Sequence, residues 1–346
     1  MAAISRRDLL VRSSAIAGGI ALARFARPGL ALGAEAVNFQ LGWIANVENM
    51  GEFVAAEKGY YTNAGLDVTL TPGGPAVSVE PLIVAGKALV GLSQPDIVAR
   101  ANENGANIRI IAATFQKNPA AVMSLASKPI KTPQELAGKK LGIQQQGVPI
   151  YDAFFTSIGM DPKSVTYVPV QFDPAPLVAG EVDAFVSFQT NQPIQLKTQG
   201  IDTVTFLLAD FGFNLYTDNV IVSADSLKDA GKRATIVKLV AATIKGWADA
   251  LADPAMAAKL VVDKYGKSLN LDLKAQTLTA EAEVPLVQTD ETKAHGLFVM
   301  TDAGIAQNMK TLKQSGIDAT QEGLFDTSVL AEIYAALGTP VATPAS

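Results

Sequence analysis

The chain contains no cysteine, one histidine (His295) and two tryptophans in 346 residues. Without cysteine there is no disulfide framework, thiolate metal site, thiol nucleophile or acceptor for an N-terminal lipid. No Ser/His/Asp set, metal-spaced cluster, phosphate-binding glycine loop or nicotinamide fingerprint occurs. Pro72-Gly73-Gly74-Pro75 is a turn, too short for a phosphate loop. Apolar runs are short too: residues 14–22 fall far below the roughly 18 that a membrane-spanning helix needs.

Basic side chains are also scarce where they would matter. No Lys or Arg lies within 38–57, 71–86 or 141–162, and only Lys197 lies within 164–227. A site for sulfonate, sulfate or phosphate normally uses Arg or Lys, so these stretches favour a neutral or weakly basic ligand.

What is present begins with an export signal. Ser5-Arg6-Arg7-Asp8-Leu9-Leu10 follows the twin-arginine consensus, and a short apolar core broken by Gly18-Gly19 comes after it. We expect a leader over 1–34, cleaved between Ala31 and Ala36, and a freely soluble periplasmic protein with no stable membrane insertion. The leader holds five arginines and one aspartate, so its loss takes 28 basic and 33 acidic side chains to 23 and 32, and the charge from −5 to −9. An acidic surface without a basic stretch excludes nucleic acid as a partner.

Strand and helix signals alternate along the rest. Residues 39–43 read as a strand and 53–58 as a helix closed by Gly59, with Tyr60-Tyr61 behind it. Gly65 makes a second turn, and the alternating Leu66-Asp67-Val68-Thr69-Leu70 a second strand. A helix over 76–85, a strand over 89–94, a helix over 96–103 and a strand over 108–115 follow, the pattern of a mostly parallel α/β sheet. Residues 121–126 lead out of this block, and 219–223 lead back into a largely helical remainder. Between them a second α/β unit opens on Thr132-Pro133-Gln134-Glu135, a capping-box spacing closed by Gly138, with strands over 140–145, 165–170, 182–188 and 204–208. Leu82-Ile83-Val84-Ala85-Gly86 and Pro176-Leu177-Val178-Ala179-Gly180 echo each other, each closing a helix before a strand with a polar end. The expected organisation is a first lobe over 36–126, a second over 127–218, a return to the first with C-terminal helices over 219–337, and a flexible tail over 338–346. A second lobe inserted in the first suits hinge closure on a ligand.

In an open α/β sheet, ligands sit at the carboxyl ends of the strands. That rule nominates Trp43, Asn46, Glu48 and Asn49 after the first strand, and Ser93 and Gln94 after the third. From the second unit it nominates Gln145, Gln146, Tyr151, Phe172, Asn191, Asp210 and Tyr216. Rings offer flat contact surface, and amides and carboxylates orient a planar ligand. Trp43 and Tyr216 stand out as ligand contacts, whereas Phe154, Phe155, Phe206 and Tyr60 are expected in the core. Glu48, Asp96, Asp173 and Asp210 are candidates to pair with ring nitrogens or an amine, with helix caps or surface positions as the alternative. His295 falls among the C-terminal helices, away from these loops.

Leu41-Gly42-Trp43 through Gly59-Tyr60-Tyr61 and Gly65-Leu66-Asp67-Val68, Val178-Ala179-Gly180-Glu181-Val182-Asp183-Ala184, and Asp210-Phe211-Gly212 with Tyr216 resemble the periplasmic ABC-transporter binding proteins related to thiamine pyrimidine synthase. The resemblance spans residues 39–330. It implies a type II periplasmic-binding fold, two lobes around a ligand cleft, acting as a monomer without cofactor or metal and delivering a small molecule to a membrane permease. Trp43 and Tyr216 match the family's aromatic ligand positions. The ligand it implies is a hydroxymethylpyrimidine-type thiamine precursor, with riboflavin or another small organic molecule such as a sulfonate as the alternative. Two positions depart from the pyrimidine binders, which carry His where Glu48 or Asn49 stands and Asn-Glu where Asn191-Gln192 stands. The fungal synthase of the same fold draws on its own histidine, pyridoxal phosphate and iron. This chain offers no cysteine and no histidine near the expected cleft, so a binding protein rather than an enzyme is expected.

Overall fold

The computed structural model describes residues 33–74 and 77–337. All but the last two residues of the expected leader, and the expected tail, lie outside them. The strands are β1 (Glu35–Gln40), β2 (Leu66–Thr71), β3 (Val90–Ser93), β4 (Ile108–Phe115), β5 (Ala120–Leu125), β6 (Lys140–Ile143), β7 (Thr166–Pro169), β8 (Ala184–Phe188), β9 (Thr203–Leu207) and β10 (Thr217–Ser223). They form two five-stranded sheets, ordered β2-β1-β3-β10-β4 and β7-β6-β8-β5-β9.

The two sheets share one plan. In the first, β1 pairs in parallel with β2 and β3, and β10 runs antiparallel to β3 and β4. In the second, β6 pairs in parallel with β7 and β8, and β5 runs antiparallel to β8 and β9. The echoed segments fall at matching places: Gly86 (φ 66°) and Gly180 (φ 74°) take the left-handed conformation that closes a short helix before β3 and β8. The segments expected only to lead out and back, 121–126 and 219–223, are themselves the antiparallel strands, β5 in the second sheet and β10 in the first. The chain therefore changes sheet ahead of residue 120 and again ahead of residue 217.

Local chemistry sets the elements of the first lobe. Helix α1 (Met50–Glu57) ends where Gly59 takes φ 71°, as its sequence predicts. It crosses α2 (Ala230–Ala252) very closely, because a Cβ at Gly246 would stand 2.2 Å from the Gly51 carbonyl oxygen. Trp247 is fully buried beside this crossing, with its ring edge-on to Phe115 at 5.9 Å. Phe39, Phe53 and Leu66 complete the core, each contributing roughly 1.5–3 kcal/mol by burial. In the second lobe Phe154, Phe155, Phe206 and Phe213 form the aromatic core, while Tyr60 is only half-buried. The capping box expected at Thr132 is absent: Pro133–Leu136 is a single 3-10 turn, and the Glu135 carboxylate accepts from the Lys131 N–H at 2.8 Å instead. The helix expected over 76–85 is shorter, Glu80–Val84.

β4 passes into β5 through residues 116–119, and β9 returns to β10 through 208–216. Asn214 ties the two links, its amide donating to the Gln116 carbonyl at 3.1 Å and accepting from the Asn118 N–H at 2.9 Å. Because β4 ends and β10 begins at these links, the carboxyl ends of β1 and β3 lie at that same edge of the first sheet. The ends of β6 and β8 lie at the corresponding edge of the second. A third connection is helix α3 (Leu273–Val287). Its Gln276 side chain accepts from the Val47 N–H at 3.1 Å, and its Thr279 hydroxyl donates to the Thr190 carbonyl at 2.8 Å. No described helix is long and apolar enough to cross a membrane.

Candidate functional site

The loop after β1 is built around Asn46. Its side chain accepts from the Glu48 N–H at 3.2 Å and caps the 3-10 turn Val47–Asn49, which turns the chain into α1. Asn49 is buried and donates to the Ile44 carbonyl at 3.4 Å, so both amides are spent on shaping the loop. Trp43 and Glu48 are half-buried at its surface. Ser93 and Gln94 stand beside them at the end of β3; Ser93 donates to the Glu80 carboxylate, and Gln94 opens helix Pro95–Glu103 without a side-chain cap bond.

In the second lobe Gln145, Phe172 and Asn191 follow the adjacent strands β6, β7 and β8. Gln145 is exposed, Phe172 is 49% exposed and Asn191 is half-buried. The side chain of Gln146 lies outside what is described.

Three nominated residues stand elsewhere. Tyr151 is buried in the second-lobe core, its hydroxyl on the Ala121 carbonyl at 3.1 Å. Tyr216 is 2% exposed and packs under helix Asp302–Gln314, where a Cβ on Gly304 would meet its hydroxyl oxygen at 1.7 Å. Both rings belong to packed cores rather than to the loop surface. Asp210 sits on the link between lobes, in an ion pair with Lys117 at 2.6 Å. Asp173 accepts from the Ala175 N–H at 2.9 Å, a turn-capping role.

The structure adds what the sequence reading did not single out. Glu52 of α1 (0% exposed), Asp218 of β10 (4%) and Glu283 of α3 (2%) are buried next to Glu48. The Trp247 indole donates to Glu52 Oε2 at 3.0 Å. Glu52 Oε1, Asp218 Oδ2 and Glu283 Oε2 have no partner. Burial, reinforced by their mutual repulsion, pushes Glu52 up to about 7 and holds Asp218 and Glu283 well above the carboxylate range. Burial raises Glu48 as well. Asp218 also has φ 50°, a conformation non-glycine residues rarely adopt and one found disproportionately at functional sites. One signal was available in the sequence: Glu52 interrupts the otherwise apolar run Met50–Ala56.

Two sheets of one plan, joined by two short links with their strand ends facing the junction, define a periplasmic-binding-protein fold. The chain belongs to the NMT1/THI5-like family, whose model matches residues 46–257. It is 26% identical over 268 residues to the riboflavin-binding protein RibY of Chloroflexus aurantiacus, covering 75% of each chain. It is 27% identical over 275 residues to the formylaminopyrimidine-binding protein of Halalkalibacterium halodurans, covering 77% of each. Among solved structures it resembles the periplasmic aliphatic sulphonate binding protein SsuA from Escherichia coli, with a TM-score of 0.62 and 14% identity over 81% of this chain and 86% of that one.

Proposed function

We propose that the chain is an extracytoplasmic solute-binding protein, exported by the twin-arginine route. As a monomer it would bind a planar nitrogen heterocycle of the hydroxymethylpyrimidine type and deliver it to an ABC permease. The observation that carries this reading is the presence of a half-buried indole, Trp43, and the Glu48 carboxylate on one loop at the carboxyl end of β1. A ring stacks on the indole, and an acceptor beside it takes hydrogen bonds from an exocyclic amine or protonated ring nitrogen. The cleft residues from the second lobe would be Gln145, Phe172 and Asn191. Buried carboxylates behind Glu48 oppose an anionic ligand, which weighs against a sulfonate. The similarity to formylaminopyrimidine- and riboflavin-binding proteins supports a heterocycle.

Riboflavin is the second reading, favoured by the amides at these strand ends, which suit a neutral ring with a polyol chain. Synthase activity is not proposed: His295 closes helix Asp290–His295, outside the strand-end loops, and the chain has no cysteine.

Calorimetric titration of the mature protein with 4-amino-5-hydroxymethyl-2-methylpyrimidine, riboflavin and ethanesulfonate separates these readings. Saturable binding of the pyrimidine alone is the expected result. Binding of riboflavin alone moves the assignment to flavin uptake, and binding of the sulfonate alone overturns the heterocycle reading.

A further inference from the structure

We propose that Gln276 and Thr279, one turn apart on α3, are positioning residues that hold the two loops facing the ligand, 43–49 of the first lobe and 188–191 of the second, at a fixed separation before the ligand arrives. The inference deepens the reading above and rests on it for which loops meet the ligand.

Within the first lobe α3 packs against helix Pro254–Leu260 and the turn Val47–Asn49. Its remaining helical neighbour, Gln192–Thr198, belongs to the second lobe. Residues three apart share a helix face, and here their partners come from different lobes. The Gln276 side-chain oxygen accepts from the Val47 N–H at 3.1 Å. Val47 opens the 3-10 turn, where an N–H has no partner within the turn itself. That bond ties the loop carrying Trp43 and Glu48 to α3. The Thr279 hydroxyl donates to the Thr190 carbonyl at 2.8 Å. A helical threonine can return its hydroxyl to the carbonyl four residues back, and Thr277 does so, on Leu273 at 2.8 Å. Thr279 reaches across to the other lobe instead.

Thr190 is a fixed point of its own loop. It is 5% exposed although it lies just past the end of β8. The backbone around it is pinned: the Phe188 N–H donates to the Gln192 side chain at 3.2 Å, and the Asn191 N–H to the Phe188 carbonyl at 3.0 Å. A shift of Thr190 therefore carries Asn191 with it. The far end of α3 meets the first link between the lobes. The Leu286 carbonyl, one of the last in the helix and so without a helical partner, accepts from the Gln116 and Lys117 N–H groups at 2.9 and 3.2 Å. One helix thus touches both loops and the link, and a hinge motion that parts the loops breaks the Thr279 bond. A site whose walls are already spaced loses less ordering free energy on binding.

The test measures calorimetric affinities of the mature protein for 4-amino-5-hydroxymethyl-2-methylpyrimidine in wild type, Thr279→Val, Thr279→Ser, Gln276→Met, and Thr279→Val combined with Gln276→Met. Thr279→Val and Gln276→Met should each weaken binding about three- to tenfold, the range of one hydrogen bond, and Thr279→Ser should stay within about twofold of wild type. The combined variant should bind within about twofold of the weaker single one, because either cut alone frees the spacing, whereas two separate local supports would add their losses. In ligand-free solution scattering Thr279→Val should have a larger radius of gyration than wild type, and Thr279→Ser the same. Additive losses, an unchanged or tighter affinity in folded Thr279→Val, or coincident scattering curves each overturn the inference and leave the proposed function standing. If wild type does not bind this pyrimidine, the pyrimidine reading falls, and the scattering comparison alone decides whether α3 braces the lobes.

Discussion

Burial and the charge of Glu48 beside it hold Asp218 well above the carboxylate range, so an acid of β10 and an acid of the loop before α1 meet at the edge of the first sheet. Neither strand order nor helix packing requires this contact. Two carboxyls so close in a buried setting cannot both ionise, and the pair persists by keeping one of them neutral. Glu52 and Glu283 extend the same condition inward. The first lobe thus stores unfavourable electrostatics at the place where a ligand is expected, while its core beneath is ordinary aromatic and aliphatic packing.

That arrangement makes stability depend on pH in a definite sense. Burial lifts Glu52 from 4.5 to about 7, so the folded protein binds more protons than the unfolded one between those values. The contribution is complete below pH 4.5 and is lost as pH rises through 7, amounting to about 3 kcal/mol for this one group. The Glu52→Gln variant keeps an acceptor for the Trp247 indole and removes the titration. Urea unfolding at pH 5 and pH 8 should show wild type losing stability over this interval and the variant losing less, by about 2–3 kcal/mol. Equal losses would mean that Glu52 titrates normally.

The fold was largely legible in the sequence, and the reasons are local. Ile108–Phe115 is a strand with the limits its apolar run predicts, and Gly59, Gly65 and Gly138 all take the positive φ that their positions after helices and turns call for. The clustered acids were not legible, because Glu48 and Glu283 are separated by more than 200 residues and only the packing of α3 across the loop at Val47 joins them. Aromatic residues misled for a related reason. The sequence around Tyr216 is polar, yet Gly304 on a helix almost 90 residues later leaves the space into which its ring turns.

Gly246→Ala tests the close crossing that positions Glu52. The added methyl would meet the Gly51 carbonyl at 2.2 Å and Ala55 at 2.6 Å, and backbone on the facing helix has no alternative rotamer. Overpacking of this kind costs about 1–3 kcal/mol, to be read as a shift in the urea midpoint at constant slope. An unchanged midpoint would show that α1 and α2 separate freely.

Trp43→Ala tests the platform. Trp43 is half-buried and outside the buried core, so the variant should fold with a melting temperature near that of wild type. Loss of a stacking surface weakens binding of 4-amino-5-hydroxymethyl-2-methylpyrimidine by about 2 kcal/mol, within the range of an aromatic anchor. An unchanged dissociation constant removes Trp43 from the site.

Asp210→Asn separates a hinge residue from a ligand contact. Its carboxylate is spent on Lys117, and both side chains are substantially exposed, at 48% and 40%. An exposed pair of this kind contributes about 0–1 kcal/mol, so the variant should unfold within about 1 kcal/mol of wild type. Its affinity for the same pyrimidine should stay within about twofold, since no free carboxylate is withdrawn from the cleft. Any larger effect on affinity, with stability unchanged, would show that Asp210 leaves Lys117 when the lobes close and meets the ligand directly. Titrating Lys117→Met alongside decides between these outcomes. If Asp210 is only a hinge partner, the two variants behave alike. If it is a contact, freeing its carboxylate strengthens binding, whereas neutralising it weakens binding.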